Sequence, residues 1–206
     1  MFTVFEKIRT KITIKSSQFI TDLYPTEKLE DFQEQYHLIQ KEFYDANHHC
    51  FAVRIGVTPL FQKYSDDGEP HGSAGKPMDM TLEKFSLTNC SVVVTRYFGG
   101  TKLGVGGLVR AYSEAVEEAV QSAKLLKIVN VTPVKIVCEY KELSSVIHRF
   151  ESIAEEYSYS MMELCTLEFF FATERMEIIQ RQIEDIRYSC ESIQVFAPLF
   201  KTIHAQ

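Results

Sequence analysis

Apolar positions recur along the chain at periods that predict short elements. Residues 10–21, with Ile12, Ile14, Phe19 and Ile20, read as an extended segment or two short strands, broken at Ser16-Ser17-Gln18 and stopped by Pro25. Leu29, Phe32, Tyr36, Ile39 and Phe43 fall at helical spacing, so a helix is predicted from Thr26, as its cap, to about Tyr44. Residues 51–55 predict a strand and residues 60–64 its hairpin return. A short helix through Met78, Leu82 and Phe85 comes next. Residues 92–98 are β-branched and aromatic, which predicts a buried strand. From Leu108 the positions Ala111, Tyr112, Ala115, Val116, Ala119 and Val120 trace a helix to about Lys124.

The remainder predicts a strand over 131–140, a helix over 142–156 and a strand over 159–171. A helix over 174–187 capped by Thr173 and a last strand over 193–200, with Pro198 at an edge, complete the chain. That alternation suits a small α+β sandwich with helices on one sheet face. All nine glycines lie between Gly56 and Gly107, a sharp shift in composition. It puts a boundary near residues 127–130, with domains of 1–127 and 128–206. His148 and His204 stand isolated in the second half and read as solvated.

Composition narrows the picture. The 206 residues are 45% hydrophobic and 12% aromatic, enough for one large core or two small ones. A net charge of −6 excludes a uniformly basic surface. Residues 1–126 hold 14 basic and 16 acidic side chains and residues 127–206 hold 8 and 12, so any polyanion site is a local patch. The five cysteines are scattered and form no Cys-x-x-Cys, which argues against a disulfide framework or a structural zinc. No signal core and no run of about 18 apolar residues is present, so a cytoplasmic protein with no membrane partner is expected.

The most informative stretch is 91–112, a strand, a glycine-rich join and a helix start. Gly99, Gly100, Gly104, Gly106 and Gly107 fill the join; Arg96, Lys102 and Arg110 flank it, and no acid occurs from Ser91 to Ser113. Free amides at a helix N-terminus beside cations are the parts of an anion site. The alternative is that the glycines serve only tight turns and close packing. No Gly-Lys-Ser/Thr closes a Walker A loop, and the dinucleotide fingerprint ends wrongly in Val109. A second stretch, 65–77, is a long Gly- and Pro-rich loop in which Asp66, Asp67 and Glu69 could hold Mg²⁺ against a bound phosphate, or could be exposed turn carboxylates. In 45–50, His48, His49 and Cys50 could ligate zinc or form a Cys–His nucleophile pair, or be a buried thiol beside hydrogen-bonded histidines. No resident metal is expected; Mg²⁺ is the cofactor to be tested.

The residues 64–77, Tyr-Ser-Asp-Asp-Gly-Glu-Pro-His-Gly-Ser-Ala-Gly-Lys-Pro, and 96–112, Arg-Tyr-Phe-Gly-Gly-Thr-Lys-Leu-Gly-Val-Gly-Gly-Leu-Val-Arg-Ala-Tyr, resemble the two long signatures of the YigZ/IMPACT family. Ser17-Gln-Phe-Ile20 and 46–52 match two shorter family elements, with His49 where Asn is common. The resemblance spans nearly the whole chain. It implies a domain with the fold of ribosomal protein S5 domain 2, followed by a ferredoxin-like domain, a pair similar to the last two domains of elongation factor G. Eukaryotic relatives regulate translation by competing for an activator of the kinase that phosphorylates initiation factor 2, using another N-terminal domain that this chain is expected to lack, so that partner is not carried over.

Two functions of different class fit this reading. One is a translation-linked binding module taking RNA, the ribosome or a translation factor through Arg96, Lys102 and Arg110, with Tyr97, Phe98 or Tyr112 stacking on a base. The other is an Mg²⁺-assisted enzyme on a phosphorylated or nucleotide substrate, with His48, Cys50 or Asp67 as catalytic candidates. A third account has the acidic and basic loops pair with each other as structure.

Overall fold

In the computed structural model, which describes residues 1–58 and 60–203, the chain forms a mixed α/β fold of two units, Met1–Lys127 and Ile128–Gln206. His204 lies outside the described residues.

The first unit is built on a five-stranded sheet. Strands β1 (Phe2–Val4), β2 (Ile8–Ile14) and β3 (Ser17–Pro25) lead to helix α1 (Leu29–Glu42). Then come β4 (His48–Ile55), β5 (Phe61–Ser65), α2 (Gly75–Lys84), β6 (Cys90–Tyr97) and α3 (Val105–Ser122). The sheet order is β2-β3-β6-β4-β5, with every neighbour antiparallel. β1 pairs with the first residues of β7 (Leu125–Cys138). The break expected at Ser16-Ser17-Gln18 lies one residue earlier, at the β2–β3 turn, where Lys15 (φ 45°) and Ser16 (φ 65°) are both left-handed, as the twist of a two-residue hairpin demands, while Ser17 and Gln18 already belong to β3.

Helices cover both faces of this sheet, which is why β4 and β6 read as near-continuous apolar runs. Alternation sorts the side chains. Cys50, Ala52, Val92 and Val94 pack with Met78 and Leu82 of α2 and with Tyr112, Ala115 and Val116 of α3. Phe51, Val53 and Val93 face the other way, against Phe32 and Ile39 of α1. Thr26 does not cap α1: it is buried, and its amide donates to the Asn89 carbonyl. The helix starts two residues later, where the Asp31 carboxylate accepts the Lys28 amide at 3.0 Å.

The second unit continues β7 through α4 (Leu143–Phe150), β8 (Glu156–Met161), β9 (Cys165–Ala172), α5 (Met176–Ile186), β10 (Ser192–Val195) and β11 (Leu199–Ile203). Its antiparallel sheet runs β10-β7-β9-β8, with β11 also paired to β7. Two expectations are corrected. The single strand over 159–171 is a hairpin, turning at Met162–Leu164 without glycine or proline to mark it. The single strand over 193–200 is two strands with Pro198 between them. Thr173 opens a 3₁₀ turn ahead of α5, and its hydroxyl lies 3.1 Å from that of Thr132.

Val134, Ile136, Leu167 and Phe169 form the sheet side of this core, beneath Val146 and Phe150 of α4 and Ile179 and Ile183 of α5. Phe150 is fully buried and meets Phe169 and Phe171 edge-on, each at 5.4 Å between ring centres. Replacing Phe150 by Ala is expected to cost about 3–5 kcal/mol, measured by denaturant unfolding, because the cavity left between two rings cannot collapse.

Candidate functional site

One end of the first sheet gathers most of the singled-out residues. His48, at the start of β4, stands opposite Arg96, near the end of β6, and Gln18, early in β3, stands opposite Tyr97. The loop 66–74 folds over this end.

Each acid of that loop already has a partner. The Asp66 carboxylate accepts the amides of Gly72 (2.7 Å), Ala74 (3.0 Å) and Gly75 (2.9 Å), which closes the loop and caps the start of α2. Burial would raise its pKa; the three amides outweigh that and hold it below the usual carboxylate value. Asp67, at φ 42°, accepts the His49 amide at 2.6 Å, and its carbonyl is 2.7 Å from His48 Nδ1. Glu69 is buried and accepts from Arg96 Nη1 at 2.5 Å and from the Tyr112 hydroxyl at 2.8 Å. Its second oxygen is 3.9 Å from His48 Nε2. The three carboxylates serve separate donors, and among the described residues no cluster of three His, Cys, Asp or Glu could hold a metal ion. This arrangement does not fit Mg²⁺ held jointly by Asp66, Asp67 and Glu69.

Cys50 is fully buried; its thiol donates to the Asp66 carbonyl at 3.0 Å and lies 3.3 Å from the Tyr112 hydroxyl. Burial pushes both the thiol and the Tyr112 phenol up, so the thiolate a nucleophile requires is suppressed. Burial lowers the pKa of His49, which favours a neutral ring.

The basic stretch separates into an inner and an outer part. Arg96 is only 5% exposed, and its guanidinium bonds to Glu69 and to the Ser17 hydroxyl (3.3 Å) and lies over the Phe19 ring. Its charge is matched within the protein and does not face outward as expected. Tyr112 is fully buried and meets Phe19 in a T-shaped contact, so it offers no exposed face for stacking. Gly99 serves a close approach: a Cβ there would stand 2.0 Å from the Ser16 carbonyl carbon, and its amide donates to Ser17 Oγ at 3.1 Å.

Beyond Gly99 the stretch opens to solvent. Gly100, Lys102, Gly104, Gly106 and Arg110 are exposed, and Gly107 is half-buried. Gly104 (φ 71°) starts α3, and the amides of Gly100 to Gly107 find no acceptor among the described residues. No acidic side chain pairs with Lys102 or Arg110 among the described residues. Phe98 is 46% exposed beside this run, with its amide fixed by Asn47 Oδ1 at 2.7 Å. The Tyr97 hydroxyl donates to Asp45 at 2.7 Å, and that hydrogen bond helps push its pKa up to about 12.

Sequence reading missed Lys15, which sits exposed in the hairpin turn next to Ser16, against Gly99. It also missed Ser17 as the hydroxyl joining Arg96 to the Gly99 amide. A signal existed for the inner part: in a strand of period two, Arg96 shares a face with Val92 and Val94, and His48 shares one with Cys50.

Residues 15–120 match the sequence profile of the Impact N-terminal domain. An IMPACT family member of Haemophilus influenzae is 41% identical over 151 residues, covering 72% of this chain and 71% of that protein. The IMPACT family member YigZ of Escherichia coli is 38% identical over 135 residues, 65% of this chain and 66% of that protein. A crystal structure described as that of a hypothetical protein superposes with a TM-score of 0.60 at 28% identity, over 95% of this chain and 96% of its own.

Glu69→Gln is expected to lower stability by about 3–5 kcal/mol in denaturant unfolding, since it leaves the Arg96 charge buried and uncompensated. Asp66→Asn tests the linkage of loop closure to pH. The lowered carboxylate stabilises the fold fully above its unfolded value near pH 4, and that contribution is lost as pH falls through the folded value. The stability gap between the parent and D66N, measured by urea unfolding, is therefore expected to narrow from pH 6 to pH 3.

Proposed function

The chain belongs to the IMPACT family, and on that premise we propose that it is a translation-linked binding protein whose first unit takes a phosphate-bearing partner, RNA or the ribosome, on the face formed by Lys15, Lys102, Arg110 and the open amides of α3. The observation that carries this reading is the sorting of charge. Every acid of the neighbouring loop is bound to a protein donor, whereas the outer cations and amides are not. A helix N-terminus with unsatisfied amides favours an anion, and Phe98 offers a ring beside it for a base.

The domain reading agrees with this. The order β7-α4-β8-β9-α5-β10 with strand order β10-β7-β9-β8 supports a ferredoxin-like second unit, and the first unit is read as ribosomal-protein-S5-domain-2-like, the pairing found at the end of elongation factor G. Free cysteines and the absence, among the described residues, of a helix long and apolar enough to cross a membrane agree with work in the cytoplasm.

The alternative, an enzyme on a phosphorylated substrate, has less support. Cys50 is buried with its thiol held protonated, and Asp67 is engaged by the His49 amide. His48 alone keeps a ring nitrogen near an unfilled carboxylate oxygen.

The test is fluorescence anisotropy of a short single-stranded RNA across a salt series, with ribosome co-sedimentation beside it. Affinity is expected to fall linearly on a log–log plot, and each of Lys15→Gln, Lys102→Gln and Arg110→Gln to reduce the slope by about 0.7. Failure to bind at low salt, or a triple variant that binds like the parent, removes the proposal.

A further inference from the structure

The sheet of the second unit ends on β8, which among the described residues pairs with β9 on one side and with no strand on the other. All six of its residues are exposed. Proteins usually blunt such an edge with lysine, proline or a bulge. Here the strand reads Glu-Tyr-Ser-Tyr-Ser-Met, and its register with β9 runs one to one from Glu156 opposite Phe170 to Met161 opposite Cys165.

Its core-side residues extend the apolar face beyond the cover of α4 and α5. Tyr157, Tyr159 and Met161 stand opposite Phe169, Leu167 and Cys165, all three buried. Tyr157 stacks on Phe169 at 5.5 Å. Even so, the three remain 37%, 50% and 56% exposed, and Met162 in the next turn is 92% exposed.

Charge indicates what this edge would accept. From residue 150 to 174 there are six glutamates and no lysine or arginine. Glu155 and Glu156 sit at one end of the strand and Glu163 just past the other, with Lys201 reaching Glu156 at 3.4 Å. A second copy paired antiparallel on the same edge would bring Glu155 and Glu156 of one chain toward Glu163 of the other, a like-charge contact that disfavours self-pairing.

We propose that β8 is a docking strand for an extended peptide segment that alternates basic and apolar residues. The segment adds to the sheet through its backbone, lays its apolar side chains on Tyr157, Tyr159 and Met161, and places its cations by the flanking glutamates. The unbranched Met161 and Met162 side chains adapt to different apolar partners. The site differs in ligand from the phosphate face, since it selects positive charge.

The experiment uses the full chain and the octapeptide Lys-Val-Lys-Val-Lys-Val-Lys-Val. Binding is read by anisotropy and by amide hydrogen exchange over residues 156–161. The expected result is about tenfold slower exchange confined to β8, and about tenfold weaker binding by the Tyr159→Lys, Met161→Lys double variant, whose circular dichroism should match the parent because both positions are exposed. The same peptide N-methylated at alternate amides keeps its charge and loses its strand donors, and is expected not to bind. Equal binding of the methylated peptide, protection elsewhere than β8, or concentration-dependent protection of β8 in the free chain, which would mean a second copy occupies it, each overturns the proposal.

Discussion

The buried ion pair between Glu69 and Arg96 is the constraint on which the first unit's functional end depends. Two charges withdrawn from water are tolerated only if their remaining hydrogen-bonding capacity is met at close range. Tyr112 supplies a donor to Glu69, and Ser17 gives Arg96 an acceptor. These four residues come from the loop before α2, strand β6, helix α3 and strand β3. The pair therefore fixes where four separate elements meet, and the acidic and basic loops are joined through it. Among the described residues, the acidic and basic stretches meet where Glu69 takes Arg96 and Tyr112. Asp67 serves the His49 amide, and Lys102 stays in solvent.

That selectivity shapes the surface. Because the acids of the neighbouring loop are turned to internal donors, none of them forms an ion pair with Lys102 or Arg110 among the described residues. The partial positive charge at the start of α3 adds to Lys102 and Arg110, and no acid lies in the helix's first turn. A chain of net charge −6 can in this way carry a local cationic face. The second unit differs, with glutamates at both ends of an exposed edge strand. The two proposed sites would thus take partners of opposite charge.

Helices with a single buried stripe were legible from sequence. The Leu108 to Val120 spacing identifies α3, although the helix begins at Val105 because Gly104 turns the chain earlier. Strands buried on both faces were legible as apolar runs, in β4 and β6. The turn at Met162–Leu164 was not, because it uses no glycine or proline and the apolar alternation passes through it. At the site, sequence located the charged residues but did not orient them. Arg96, Lys102 and Arg110 look alike as cations in a glycine-rich stretch, and only the strand's period separates the first from the others. Lys15 lay some eighty residues away in a different hairpin; only folding brings its turn against Gly99.

On the proposed reading, that last contact would give the face a fixed shape. Gly99 is pressed on the Ser16–Ser17 backbone and its amide is held by Ser17, so the hairpin turn and the start of the glycine stretch are joined there. Asn47 fixes the Phe98 amide from a third element. A surface ordered before its ligand arrives loses less conformational freedom on binding, so more of the contact energy appears as affinity. Cations on flexible side chains alone would give charge attraction with little shape. Here the amides are set by backbone geometry, so under the proposal their spacing would add shape to the charge of Lys102 and Arg110.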